Sequence, residues 1–67
     1  PQVETEKVEE KLREAEELLK KIKDPILKSN ANETLTGLKN NLLFGSQDNN
    51  TIMAEAEKLL VLLKESK

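Results

Sequence analysis

The sequence predicts an all-α fold, an antiparallel up-down-up three-helix bundle, and three observations predict it. Apolar residues recur at helical spacing in three separate stretches. Turn-forming residues interrupt the pattern twice, around Asp24-Pro25 to Asn32 and around Gly45 to Asn50. Connections of about 5–9 residues leave consecutive helices no choice but to run antiparallel.

The first stretch carries Val8, Leu12, Ala15, Leu19 and Ile22 at alternating steps of four and three, with Leu18 widening the stripe. Glu9 with Arg13, Glu16 with Lys20 and Glu17 with Lys21 set an acid four residues before a base, the favourable order on a solvated helix face. Acids dominate the start and lysines the end, matching the helix dipole. Proline disfavours helical geometry at the residue before it, so the helix is expected over about 3–23. Ile26 and Leu27 are expected to close one end of the core, and Lys28 to Asn32 to form the first connection.

Asn30 followed three residues later by Glu33 resembles a capping box, with Ser29 and Asn32 as rival caps, so the second helix is expected over about 32–44. Its stripe is Leu35, Leu38 and Leu42, extended by Leu43 and Phe44. Gly37 weakens it by about 1 kcal/mol relative to alanine, or else lets two helices approach closely. Gly45 is placed to end it in the left-handed conformation. Asp48, Asn49 or Asn50 then caps a third helix over about 50–65, whose inward face is Ile52, Ala56, Leu59 and Leu63 with Met53 and Leu60 beside them. The expected core is thus Leu12, Leu19 and Ile22 from the first helix, Leu35, Leu38 and Leu42 from the second, and Ile52, Leu59 and Leu63 from the third.

Composition narrows the function classes. The 67 residues suit one domain of marginal stability, and the start at Pro1 reads as a fragment of a longer protein. With no Cys and no His, disulfides, zinc or haem ligation and thiol or imidazole nucleophiles are excluded, and no cofactor is expected. A net charge of −2 with scattered cations argues against nucleic acid. No apolar run approaches the roughly 18 residues of a membrane span. The acidic cluster of Glu9, Glu10, Glu14, Glu16 and Glu17 lies along a helix, not in a glycine-turned calcium loop, so no metal site is read into it. Three aliphatic helices leave no cleft that would raise the pKa of a catalytic carboxylate, and no enzyme activity is expected.

Other features carry both a plain and a functional reading. Sequons at Asn32-Glu33-Thr34 and Asn49-Asn50-Thr51 fall in expected surface connections, where the same residues serve equally as turn and cap residues. Lys20, Lys21, Lys23 and Lys28 gather at one end of the first helix, where they could attract an acidic partner or membrane surface, but four lysines without interleaved aromatics read first as complementing the helix dipole. Leu59 to Leu63 form an unbroken apolar run, so Val61 and Leu62 are left as a docking patch for another domain or for weak self-association.

Leu19 to Leu27 resemble the segment where the long lid helix of the seventy-kilodalton heat-shock chaperone family gives way to its terminal bundle. Leu35 to Leu43, then Gly45, Asp48 and Ile52, are similar to that family's helix, glycine-plus-acid turn and next helix, with Ser46 and Gln47 as two extra residues in the turn. The resemblance implies a C-terminal lid subdomain of a cytoplasmic chaperone. Such a subdomain helps to enclose an extended apolar peptide beside an adjacent domain of the parent chain. The acidic tail that recruits co-chaperones is missing. Thr51 to Leu59 also look similar to the last helix of three-helix protein-binding modules on bacterial cell surfaces, although the paired aromatic contacts of those binders are missing. A structural or designed bundle is a third reading, against which Gly37, Asn40 and Asn41 argue.

Overall fold

In the computed structural model, which describes residues 2–65, the chain forms three α-helices: α1 (Thr5–Lys20), α2 (Pro25–Phe44) and α3 (Asn49–Glu65). All three pairs pack against one another in a body of 36 × 17 × 14 Å. The N-termini of α1 and α3 lie side by side, and the Asn49 side-chain amide donates to the Val3 carbonyl at 2.8 Å. Glu16 on α1 pairs with Lys39 on α2, the register expected of antiparallel neighbours. α1 and α3 therefore run parallel, with α2 returning between them.

The first junction is tighter than the pattern of polar residues indicates. α1 stops at Lys20, short of the expected 23, and the Ile22 backbone N–H turns back to the Leu19 carbonyl at 3.1 Å. α2 begins at Pro25 instead of near 32, so Lys28 to Asn32 are helical. The cap is Asp24: its carboxylate accepts from the Ile26 N–H at 2.9 Å and from the Leu27 N–H at 3.4 Å. Pro25 occupies the first helical position, where its missing N–H costs nothing and its fixed φ suits the helix. The pair expected to end α1 instead starts α2. Ile26 does not close the core and stands 73% exposed, whereas Leu27 is half-buried against it.

The second junction follows the expected chemistry. Gly45 takes φ +68° and its N–H donates to the Asn41 carbonyl. The Ser46 N–H adds a second bond to that carbonyl at 3.1 Å, closing the helix end in the manner of a left-handed glycine cap. The Asn41 side chain donates to Gln47 Oε1 at 2.8 Å and braces the turn. Asp48 caps α3 by accepting the Thr51 N–H at 2.8 Å.

The core is aliphatic throughout. Val8, Leu12, Ala15, Leu19 and Ile22 enter it from the α1 side, Ala31, Leu35 and Leu38 from α2, and Ile52, Ala56, Leu59, Leu60 and Leu63 from α3. Leu42 is half-buried at its margin, with Val3, Leu18 and Met53. Leu43 and Phe44 do not extend the α2 stripe inward, since both are about three-quarters exposed. Ala31 joins the core because the early start of α2 brings it one turn before Leu35 on the same face. No described polar side chain is buried.

Candidate interaction surface

The α1 and α2 helices meet along a groove. Leu12 and Leu42 floor its upper half, while Thr5, Glu9 and Arg13 from α1 and Leu43 from α2 border it, an open depression of about 570 Å³. On α1 these positions follow helical spacing, so one strip of the helix surface faces the gap. A second cleft of about 320 Å³ continues toward the other end, between Leu19 and Lys20 on α1 and Lys28, Asn32, Leu35 and Thr36 on α2. Glu16 and Lys39 line both clefts, and their ion pair bridges the groove between them.

The groove exists because α2 turns polar or long side chains toward α1. Asn32, Thr36 and Lys39 stand where leucines would have filled the seam. Packing is most extensive instead between α1 and α3, where Ala15 and Ala56 are completely buried and small side chains allow close approach. Polar groups lock the top of that seam. Asn49 donates to the Val3 carbonyl and to Thr5 Oγ1, and Asn50 accepts the Val3 N–H at 2.8 Å. The Asn50 N–H in turn donates to Gln2 Oε1 at 3.4 Å.

Apolar side chains remain outside the core at both ends. Val61 and Leu62, expected as a docking patch, are 54% and 47% exposed. Ile26 lies at the same end of the bundle, while Leu43 and Phe44 occupy the opposite end. Sequence reasoning assigned Leu43 and Phe44 to the core stripe, although 43 and 44 fall more than 90° of helical rotation from the Leu35–Leu38 face.

The remaining features resolve as follows. Lys20, Lys21, Lys23 and Lys28 are all exposed around the α1–α2 junction. The acidic residues of α1 point to solvent or half-buried positions, and no described group of acids is arranged to hold a metal ion. Lys20 pairs with Glu17 at 3.7 Å and Lys11 with Glu14 at 3.7 Å, while Glu16 crosses to α2. Hydrogen bonds from the Thr51 hydroxyl and backbone N–H, with a smaller contribution from Gln2, hold the Asp48 carboxyl below its ordinary range. Neither sequon lies in a connection: Asn32 sits inside α2, and Asn49 opens α3 with its amide engaged. No helix among the described residues is long and apolar enough to cross a membrane.

No family model, curated protein or solved structure matches the chain.

Proposed function

We propose that this chain is a non-catalytic protein-interaction module, acting by surface packing. The observation that carries the proposal is Phe44. It is the chain's only aromatic residue, and it stands 76% exposed beside an equally exposed Leu43. Burying a ring of that size stabilises a fold by about 1.5–3 kcal/mol, which a domain this small can ill spare. Aromatic rings held at the surface are enriched at the centres of protein contacts.

A more specific reading, the terminal subdomain of a chaperone lid packed on an adjacent domain in the cytoplasm, draws on the helix, glycine turn and helix order of α2 and α3. It requires a helix continuing upstream through Pro1. Gln2 to Glu4 are not helical, Glu4 is extended, and Val3 is tied to the start of α3. That conformation favours a compact module, of the kind found at cell surfaces, over the lid.

A photo-crosslinking residue placed at Phe44 and at Val61, in the polypeptide as it occurs in the cell, tests both readings. Specific protein adducts at these positions, and not at a control in place of exposed Glu10, are expected. Adducts no more frequent than at Glu10 would sink the interaction reading. Adducts within the same polypeptide, on a β-rich domain, would favour the lid.

A further inference from the structure

We infer that the α1–α2 groove takes an amphipathic helix from a partner protein, acidic in its N-terminal half and leucine-bearing in its C-terminal half. The inference rests on the interaction reading and names its surface and partner chemistry. Three features of the groove define the occupant.

The first is shape. The two clefts follow one another between antiparallel helices and meet at Glu16 and Lys39, whose ion pair crosses the trough near its middle. From Lys28 to Leu43 the α2 wall measures about 22 Å at 1.5 Å per residue. A helix of about 15 residues matches that length, and its ridges would seat between the two existing helices to complete a four-helix bundle.

The second is polarity of charge. On a chain of net charge −2, the lower half of the trough is basic. Lys20, Lys28 and Lys39 line it against a single lining carboxylate, Glu16; Lys39 pairs with Glu16 and Lys20 with Glu17, which among the described residues leaves Lys28 as the lining cation outside those pairs. Lys21 and Lys23 lie exposed just beyond. The upper half carries Glu9 and Arg13 around an apolar floor. A complementary helix places its acids over the lysines and its leucines over Leu12, Leu42 and Leu43.

The third is direction. Acidic residues are most favourable in the first turns of a helix, where they offset the dipole. The acidic end of the partner is therefore its N-terminus, and the partner runs parallel to α2. A basic residue in its last turn meets Glu9.

The test uses the full 67-residue chain, labelled with nitrogen-15, and a fluorescent designed peptide of about 16 residues. The peptide has glutamates in its first two turns, leucines at i, i+3, i+4 and i+7, and lysines in its last turn. A control peptide exchanges the glutamates and lysines. Saturable binding is expected, with amide shifts centred on Leu12, Thr36, Lys39 and Leu42. Charge exchange in the peptide, Lys28→Glu and Leu43→Glu should each weaken it at least about tenfold. Both substituted residues are exposed, so circular dichroism should show both variants folded. Shifts centred on Phe44, Ile26 or Val61 would overturn the groove while leaving the interaction reading standing. Equal binding of the two peptides would overturn the charge assignment. Sedimentation showing a dimer that Leu43→Glu abolishes would make the occupant a second copy. No binding up to about 1 mM would end the proposal whatever the crosslinking result.

Discussion

The two seams that α1 makes are built from different materials. Toward α3 it presents aliphatic side chains to a partner whose Ile52 and Ala56 are wholly buried, and the top of the seam is clasped by Asn49 and Asn50. Toward α2 it presents Glu9, Arg13 and Glu16 around the more deeply set Leu12 and Leu19, and a partly exposed ion pair, Glu16 with Lys39, crosses the gap. Both seams bury apolar side chains, since Ala31, Leu35 and Leu38 of α2 share one core with Leu12 and Leu19 of α1, but packing is more extensive in the first. A small bundle can thus keep a stable pair of helices and leave the third able to accept another element without dismantling its core.

The comparison can be broken most directly from the core. Ile52→Ala should cost about 2–5 kcal/mol, enough to leave the chain largely unfolded at 25 °C by circular dichroism, whereas Leu42→Ala at the groove margin should cost about 1–2 kcal/mol. Equal losses in urea unfolding would show that the seams do not differ. Next, Asn49→Ala removes the donor to the Val3 carbonyl and Thr5 and should cost about 1 kcal/mol, read as a lowered melting temperature together with faster amide exchange near Val3 and Asn50. An unchanged exchange rate there would mean that the clasp holds nothing.

Gly37 separates the intrinsic strength of α2 from the strength of its seams. A methyl group at this position meets nothing within 4 Å, so close helix approach is not its role within this chain. Gly37→Ala should stabilise by about 0.5–1 kcal/mol and slow exchange throughout α2 without altering α1–α3. Destabilisation would point to a neighbour that packs on that face. Smaller still, Lys39→Gln should change stability by less than about 0.5 kcal/mol, as for other partly exposed ion pairs.

Acid adds a test confined to the clasped end. The Asp48 carboxyl titrates below its ordinary value because its charged form is hydrogen-bonded in the fold. Its contribution is therefore present at neutral pH and is lost as pH falls through the depressed pKa, below about pH 4. Asp48→Asn keeps a cap and cannot titrate, so its melting temperature should fall less between pH 5 and 3 than that of the parent, both values chosen to bracket about pH 4. A parallel decline would assign the acid sensitivity elsewhere.

How much of this was legible beforehand differs by element. α1 and α3 announce themselves, because their apolar residues keep strict helical steps, although α1 ends three residues before the expected 23 and three residues compete in sequence to cap α3. α2 was half hidden. Its first turns, Pro25 to Ala31, contain serine, asparagine and proline in a mixture that equally describes a loop, and Asp24-Pro25 was read only as an ending. An Asp followed by Pro is also a strong helix start, and giving that reading equal weight would have placed Ala31 in the core. Phe44 follows the Leu35, Leu38 and Leu42 stripe in sequence, but its helical rotation turns it away from the core. The groove left no signal beyond the polar residues at 32, 36 and 39.

The sequence by itself determined that this protein is a three-helix, aliphatic-cored bundle, because periodic burial and turn chemistry act over a few residues and need no distant partner. Only the tertiary structure decided where Asn49 finds its acceptors, that Glu16 reaches Lys39 instead of Lys20, and which leucines stay in water. Those outcomes depend on the rotation and register of one helix against another, which the summed packing of all three sets at once.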